Sequence, residues 1–374
     1  MARIGRTVVD DLLSRTASQS AIHRQQRIDA GLAWLCRAQD AGSDRGFSYG
    51  YTIKGGWQDS YIETTGYIIE TFIEAAAQLG RADLADRAVE AGDWLLSVQL
   101  DDGSFPNPSV SPSNGLVFDT GQDLFGLLAL AEYSDEDRFV QAAQRAAQWL
   151  VDVADEDNRW TRYTYNSSPH VYNTRVAWAL TLAGQKFDCP SALEVARANL
   201  DWACDQQVPN GWFENCAFSE NEAPFTHNTA YAGRGLLEAG LLLGEERYVV
   251  AARRVAAAAS RHLQPDGSLP GRIATNGRKV SNSVCLTGSA QFAIIWMKLH
   301  QIYRGTELYA DALCALEAVG ASQSTTGPDE TRGALRGSNP VWGRYAPLGY
   351  PNWATKFFVE ALLLADRTSQ DHAR

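Results

Sequence analysis

The sequence predicts an all-α domain, an (α/α)6 barrel of six two-helix repeats, and three observations carry that expectation. Two markers recur with one period of about 55 residues, the helices between them alternate in kind, and no run of alternating β-branched residues is long enough for a core strand. The first marker is a turn that follows an amphipathic helix: Gln39 to Phe47, Gln99 to Phe105, Ala154 to Trp160, Gln207 to Phe213, Gln264 to Leu269, and a degenerate sixth near Gln323. Its starts are 60, 55, 53, 57 and 59 residues apart. The second is a small polar cluster that opens a hydrophobic helix: Glu63-Thr64-Thr65-Gly66, Asp119-Thr120-Gly121-Gln122, Asn173-Thr174-Arg175, Asn228-Thr229-Ala230, Leu286-Thr287-Gly288 and Asn352-Trp353-Ala354-Thr355. From Thr64 through Thr120, Thr174, Thr229 and Thr287 the steps are 56, 54, 55 and 58.

Helices after the Thr clusters, such as Leu124 to Leu130 and Val176 to Leu182, are apolar nearly all round, as an inner ring buried between other helices must be. Segments leading into the turns, such as Asp83 to Val98 and Arg138 to Val151, carry charge on one face only and form the outer ring. Gly80, Gly184 and Gly244 follow inner helices, where the chain must enter the left-handed region to turn back. A two-helix unit leaves an apolar face that its neighbour covers, and closing the ring removes the need for capping repeats. One domain over residues 1–374 is expected. Thr7 to Asp40 should supply the first outer helix and Asn352 to Asp366 the last inner one, with residues 370–374 frayed.

Hydrophobic residues make up 45% of the chain and charged ones 21%, enough for a sizeable core. A net charge of −11 argues against nucleic acid or an anionic membrane as partner, since both need clustered Lys and Arg. A small molecule or oligosaccharide is the expected partner. With no uninterrupted apolar segment of signal or membrane-spanning kind, a cytoplasmic location is expected. Cys36, Cys189, Cys204, Cys216, Cys285 and Cys314 show no CxxC spacing, so reduced, mostly buried thiols are expected.

Gln99-Leu100-Asp101-Asp102-Gly103-Ser104-Phe105 resembles the Q-x-x-D-G-x-W motif of squalene–hopene cyclases and related prenyltransferase-like α/α toroids, with Phe in the last place. Weaker copies start at Gln207 and Gln264. The resemblance implies that the Gln caps helix ends and the aromatic ring packs over the turn, tying adjacent units together. It implies no activity, because such a motif belongs to the scaffold. The acidic D-x-D-D tetrad of the terpene cyclases is missing, broken in both Asp135-Glu136-Asp137-Arg138 and Asp155-Glu156-Asp157-Asn158. The zinc pattern of prenyltransferases is not met by Asp188-Cys189. In architecture the chain is similar to six-hairpin carbohydrate-active enzymes: glycoside hydrolases, unsaturated glucuronyl hydrolases, polysaccharide lyases and sugar epimerases.

In such a barrel the inner-helix N-termini line one mouth, and their dipoles favour an anion there. Glu63 and Asp119 hold equivalent places in successive repeats, an arrangement suited to two carboxylates flanking a sugar; the alternative is that both are N-caps. His227, His170 and Tyr231 are candidate acids or bases, imidazole because it titrates near neutrality. Arg175, Arg234 and Lys356 lie on inner helices, so they either pair with Glu63 and Asp119 or grip an acidic ligand, and Arg272 is a further candidate in a loop. Trp57, Tyr61, Tyr67, Tyr172, Tyr350 and Trp353 offer stacking surfaces, and Gln122, Asn173, Asn228, Gln291 and Asn352 offer hydrogen bonds. Trp160, Tyr163, Tyr165, Trp212, Trp342 and Tyr345 add further rings to the loops. No metal, phosphate-loop or dinucleotide signature is present, so neither metal nor cofactor is expected. The reading is a carbohydrate-active enzyme using acid–base chemistry on an acidic, uronic-acid-type sugar or glycan, with hydrolysis, elimination and epimerisation all open. A terpenoid cyclase or prenyl-diphosphate enzyme is the alternative, and a non-catalytic glycan-binding toroid the third.

Overall fold

The computed structural model of the protein describes residues 24–304 and 306–373. Six outer helices alternate with six inner ones. The outer ring is α1 (Arg24–Asp40), α3 (Ala82–Val98), α5 (Asp137–Asp152), α7 (Pro190–Asp205), α9 (Glu246–Ser260) and α11 (Thr306–Gly320). The inner ring is α2 (Ile62–Leu79), α4 (Val117–Tyr133), α6 (Thr174–Lys186), α8 (Thr226–Leu243), α10 (Leu286–Tyr303) and α12 (Asn352–Ala373). Each inner helix packs on the next, and α12 returns to α2, so the ring is closed. The first outer helix begins at Arg24 within the described residues; the expected stretch from Thr7 to His23 lies outside them, as does Arg374. The last inner helix runs past the expected Asp366 to Ala373, through most of the segment expected to fray. Among the described residues, no helix is long and apolar enough to cross a membrane.

Strands are short and lie in the loops. The largest sheet orders β2 (Gly56–Trp57), β1 (Gly50–Thr52) and β7 (Gly349–Pro351) side by side, all antiparallel. It joins the first unit to the last, with Gly50 opposite Pro351. A Cβ at Gly50 would sit 2.1 Å from the Tyr350 carbonyl oxygen, so only glycine permits this seam. Nearby, Asn352 Nδ2 donates to Ser48 O at 2.8 Å and Thr64 Oγ1 at 2.7 Å, fastening α12 to the start of α2.

The recurrent glutamines do what the motif implies. Gln99 Nε2 donates to Gly103 O across its own turn at 2.9 Å and to Ala142 O of the next outer helix at 3.0 Å. Gln39, Gln207 and Gln323 repeat this bridge, each to two backbone carbonyls. Gln264 departs, bonding only His262 O, and in the third unit Asn199 takes over the task from α7. The Thr clusters have a related duty. Thr65, Thr120 and Thr355 accept the backbone N–H of Phe47, Phe105 and Leu335 at the ends of the turns, holding each turn against the inner helix that follows. These three threonines are not N-caps, and neither Glu63 nor Asp119 is one: the caps of α2 and α4 are Tyr61 and Leu116, with no side-chain cap bond.

Gly80 and Gly244 end α2 and α8 in the left-handed region, at φ of 67° and 66°. Gly184 does not; it lies inside α6 against Leu193, and the chain leaves that helix through Phe187. None of the six cysteines forms a disulfide, and Cys216 and Cys285 are the fully buried ones.

Candidate active site

The inner-helix N-termini surround a cavity of about 780 Å³ at one mouth of the barrel. Its walls are chiefly aromatic: Tyr49, Tyr61, Tyr67, Phe118, Tyr165, Tyr172, Phe218, Tyr231, Tyr345 and Trp353. The charged or titratable side chains among them are Asp59, Glu63, Asp119 and His227, with Asn107, Asn228, Gln58 and Ser60 supplying further polar atoms.

Glu63 and Asp119 face this cavity from the first turns of α2 and α4. Two glycines allow those helices to approach so closely. A Cβ on Gly126 would stand 2.4 Å from Gly66 O, and one on Gly66 2.4 Å from the Cα of Asp123. The two carboxyl groups are then joined by a string of hydrogen bonds. Asn107, on β3 (Pro106–Asn107), donates from Nδ2 to Asp119 Oδ2 at 2.8 Å and to the Tyr61 hydroxyl at 2.9 Å. Its Oδ1 accepts the Ser109 N–H at 3.1 Å, which fixes the amide with the donor end toward the acids. Tyr61 in turn hydrogen-bonds Glu63.

Burial raises Glu63 to about 8, with the neighbouring Asp119 charge as second cause. Asp119 is raised to about 7 by burial, against the opposing pull of the Asn107 bond, which favours its ionised form. The arrangement therefore holds one proton on Glu63 beside an ionisable Asp119 near neutral pH. A third carboxyl, Asp123, is fully buried one turn behind Asp119, with the Gly66 backbone against it and no side-chain partner. Burial pushes it well above the carboxylate range, so it stays neutral.

His227 lines the cavity, packed on Tyr231 and Tyr345 with centroids 4.3 and 5.1 Å away. Its Nδ1 lies 3.0 Å from Gln291 Nε2. With the amide donating there, the neutral ring carries its proton on Nε2. Burial, with Arg175 second, lowers its pKa to about 3. It is thus an uncharged hydrogen-bonding group and a weak base.

Of the residues expected at the site, Glu63, Asp119, His227, Tyr231, Tyr61, Tyr67, Tyr172, Asn228 and Trp353 line the cavity. Others stand behind its wall. His170 is stacked on Tyr172 at 4.6 Å and bonded through Nε2 to Tyr165 O at 2.6 Å, so it orients a wall ring and is not itself in the cavity. Gln291 supports His227, Gln122 accepts from Arg175, and Asn173 and Asn352 are buried at inner-helix starts. Trp57 packs on Trp34 and Tyr51 beyond the cavity, and Tyr350 sits in β7 opposite Tyr51.

The cations are the main departure. Arg272 pairs with Glu222 at 2.6 Å and covers Phe225. Arg234 and Lys356 each lie 2.5 Å from Glu360, in a network with Glu238 and Lys298 that surrounds a separate 240 Å³ cavity toward the inner-helix C-termini. Arg175 is buried beneath the floor. No Lys or Arg among the described residues lines the large cavity. Asn107, Tyr49, Phe118 and Phe218 were not singled out from the sequence. Only the fold brings Asn107 over Asp119. Among the described residues no group of three or more His, Cys, Asp or Glu side chains could hold a metal ion.

No protein-family model matches the chain, and no curated protein matches its sequence. Solved structures do match its fold. An unsaturated glucuronyl hydrolase from a Bacillus species, described as responsible for the degradation of glycosaminoglycan, superposes with a TM-score of 0.74 at 16% identity, covering 92% of this chain and 97% of that one. A cellobiose 2-epimerase from Bacillus thermoamylovorans gives 0.72 at 11%, covering 91% and 97%. A family 88 glycosyl hydrolase from Bacteroides vulgatus gives 0.67 at 12%, covering 93% and 100%. The chain has the six-hairpin α/α barrel fold of these enzymes.

Proposed function

We propose that this protein is a carbohydrate-active enzyme that cleaves an acidic, uronic-acid-type sugar or glycan by acid–base chemistry, with hydrolysis as the reaction. The observation that carries the reading is the hydrogen-bonded string Glu63–Tyr61–Asn107–Asp119 at the bottom of an aromatic cavity. Protonated Glu63 is the general acid: it passes its proton to the oxygen that leaves the sugar. Asp119, whose ionised form the Asn107 bond favours, takes a proton from the water whose oxygen bonds to the same carbon. Bond cleavage and hydration then balance, and the pair is reset by proton exchange with solvent.

Hydrolysis is favoured over proton abstraction next to a carboxylate, because two carboxyls share the cavity with no Lys or Arg among the described residues of its walls to steady an enolate, and burial weakens His227 as a base. The tyrosine-rich walls suit sugar rings, whose C–H faces stack while hydroxyl groups bond the phenols. An anionic group is drawn by the positive ends of α2, α4, α8 and α12, whose first turns form the walls. The names of the similar structures, two of them sugar hydrolases and one a sugar epimerase, support a sugar substrate. A prenyl diphosphate, with its multiple negative charges and no hydroxyl groups to meet the carboxyls and Asn107, is disfavoured by these polar groups in the cavity.

The test is a hydrolysis and thermal-shift screen of the purified protein against uronic-acid oligosaccharides with saturated and unsaturated ends, neutral disaccharides and prenyl diphosphates. Release of a new reducing end, reduced about 10²- to 10⁴-fold in Glu63→Gln, supports the reading. Stabilisation by prenyl diphosphates alone refutes it.

A further inference from the structure

We propose that Arg175 is a specificity-determining residue that acts through the cavity floor: its unshared positive charge favours an anionic sugar over a neutral one, and favours ionised Glu63, without contact with either. The proposal rests on the reading of the large cavity as a sugar site.

Arg175 stands in the first turn of α6 with no exposure at all. Its Nε donates to Gln122 Oε1 at 2.6 Å, yet both terminal nitrogens lack an acceptor. Rings enclose the guanidinium on all sides: Phe125 at 4.9 Å, Tyr231 at 5.1 Å, Trp178 at 5.3 Å, Phe357 at 5.4 Å and Tyr67 at 5.7 Å. Tyr67 and Tyr231 are also cavity walls, so one layer of phenol separates the charge from the ligand space. Two of the carboxylates on its other side are already engaged. Glu360 is held by Arg234 and Lys356 and Glu238 by Arg234 and Lys298, while Glu70, 4.0 Å from Lys356 and without a hydrogen bond on its Oε2, acts on Arg175 only through space, as Glu360 does.

A buried cation that no carboxylate contacts projects its field into the polar spaces around it, and the cavity is one of these, a single phenol layer away. The effect already reaches its contents: Arg175 is among the causes that lower both Glu63 and His227. Burial of an unpaired guanidinium is costly, and the cation–π contacts offset only part of that cost. A purely structural residue at this position would be apolar, as Phe125 and Phe357 around it are.

The experiment compares wild type, Arg175→Met, Arg175→Gln and Arg175→Lys as full chains. Calorimetry measures Kd for cellobiouronic acid and cellobiose, which differ by one carboxylate. Wild type should prefer the acid; Arg175→Met should lose about tenfold of that preference with cellobiose unchanged, and Arg175→Lys should keep most of it. In parallel, carbon-13 NMR of labelled glutamate, assigned with Glu63→Gln, follows the Glu63 titration. Its pKa should rise by about one in the Met and Gln variants, tenfold in ionisation constant, and stay near the wild-type value in Arg175→Lys.

A preference unchanged in Arg175→Met, an equal loss for both sugars, or a wild type that prefers cellobiose overturns the proposal. If neither disaccharide binds wild type, the sugar reading fails for these ligands, and the titration alone decides: an unmoved Glu63 overturns the role of Arg175, a shifted one upholds its field. If the Met and Gln variants both fail to fold while Arg175→Lys folds, the charge serves the fold and the proposal is overturned.

Discussion

Glu63→Gln should make the folded protein more stable, and only above pH 5. Burial raises this carboxyl from 4.5 to about 8. Because the folded value lies above the unfolded one, the folded chain retains a proton that the unfolded chain has released. Stability attached to that proton is full below pH 4.5 and drains away as pH rises toward 8. A rise of about three and a half pH units, at ~1.4 kcal/mol per pH unit, sets a ceiling near 5 kcal/mol. The carboxyl meets cavity solvent and shares its titration with Asp119, so about 2 kcal/mol is expected. Glutamine keeps the volume and the capacity to accept from Tyr61 and has no such proton to lose. With unfolding entropy of about 2.1 cal/mol/K per residue, a chain of 374 residues changes Tm by roughly 2–3 °C for that energy. Thermal unfolding of both proteins at pH 5, 6, 7 and 8 checks this: the difference should be near zero at pH 5 and grow to its full value by pH 8. A gap independent of pH, or a variant less stable at pH 8, refutes the assignment of Glu63 as a carboxyl strained by burial.

Asn107→Ala removes the donor that favours ionised Asp119, so the Asp119 pKa should move above its present value near 7, read by carbon-13 NMR of the carboxyl; no movement would detach Asn107 from the pair. Asp123→Asn should raise Tm increasingly as pH climbs from 5 to 8, by the same linkage as Glu63, and leave ligand binding alone because Asp123 does not line the cavity. Gly126→Ala drives a Cβ toward Gly66 O and should cost about 1–3 kcal/mol, measured as a lowered denaturant midpoint. Gln99→Ala strips partners from Gly103 O and Ala142 O and should cost a similar 1–3 kcal/mol; a neutral result would reduce the recurrent Gln to ornament.

The barrel was legible because periodicity survives in a sequence whatever the loops contain. The Gln turns and Thr clusters recur at fixed distance because most of them make the same backbone bonds in their units, as Gln99 and Thr120 do. Glu63 and Asp119 were legible for the same reason, since equivalent positions in successive repeats of a ring are neighbours in space. The cations were misread on a sound premise: a charged side chain on an inner helix does need a partner, but an inner helix has two ends. Arg234 lies two turns into α8 and Lys356 one turn into α12, and both find Glu360, two turns into α12, on the side away from the cavity. Asn107 was invisible for a different reason. Its role depends on a two-residue strand folding back across the cavity, and nothing local in Pro106-Asn107-Pro108 encodes which helix that strand will cover. Gly184 followed an inner helix as Gly80 does, yet α6 continues two residues beyond it.

The seam between β1 and β7 gives the molecule a property that linear repeat proteins lack. Because the last unit fastens onto the first, and Arg24 on α1 reaches Asp366 on α12 at 2.9 Å, no unit is an end in the structural sense. Covalent continuity is interrupted at one point on a circle whose non-covalent continuity is complete, so the break could be moved. Leading the chain from α12 into α1 through a flexible linker and opening it in the exposed turn near Asp135, between α4 and α5, would leave every inner-helix start where it is. The order in which the units emerge during synthesis would change while Glu63 and Asp119 still met across the same two glycines.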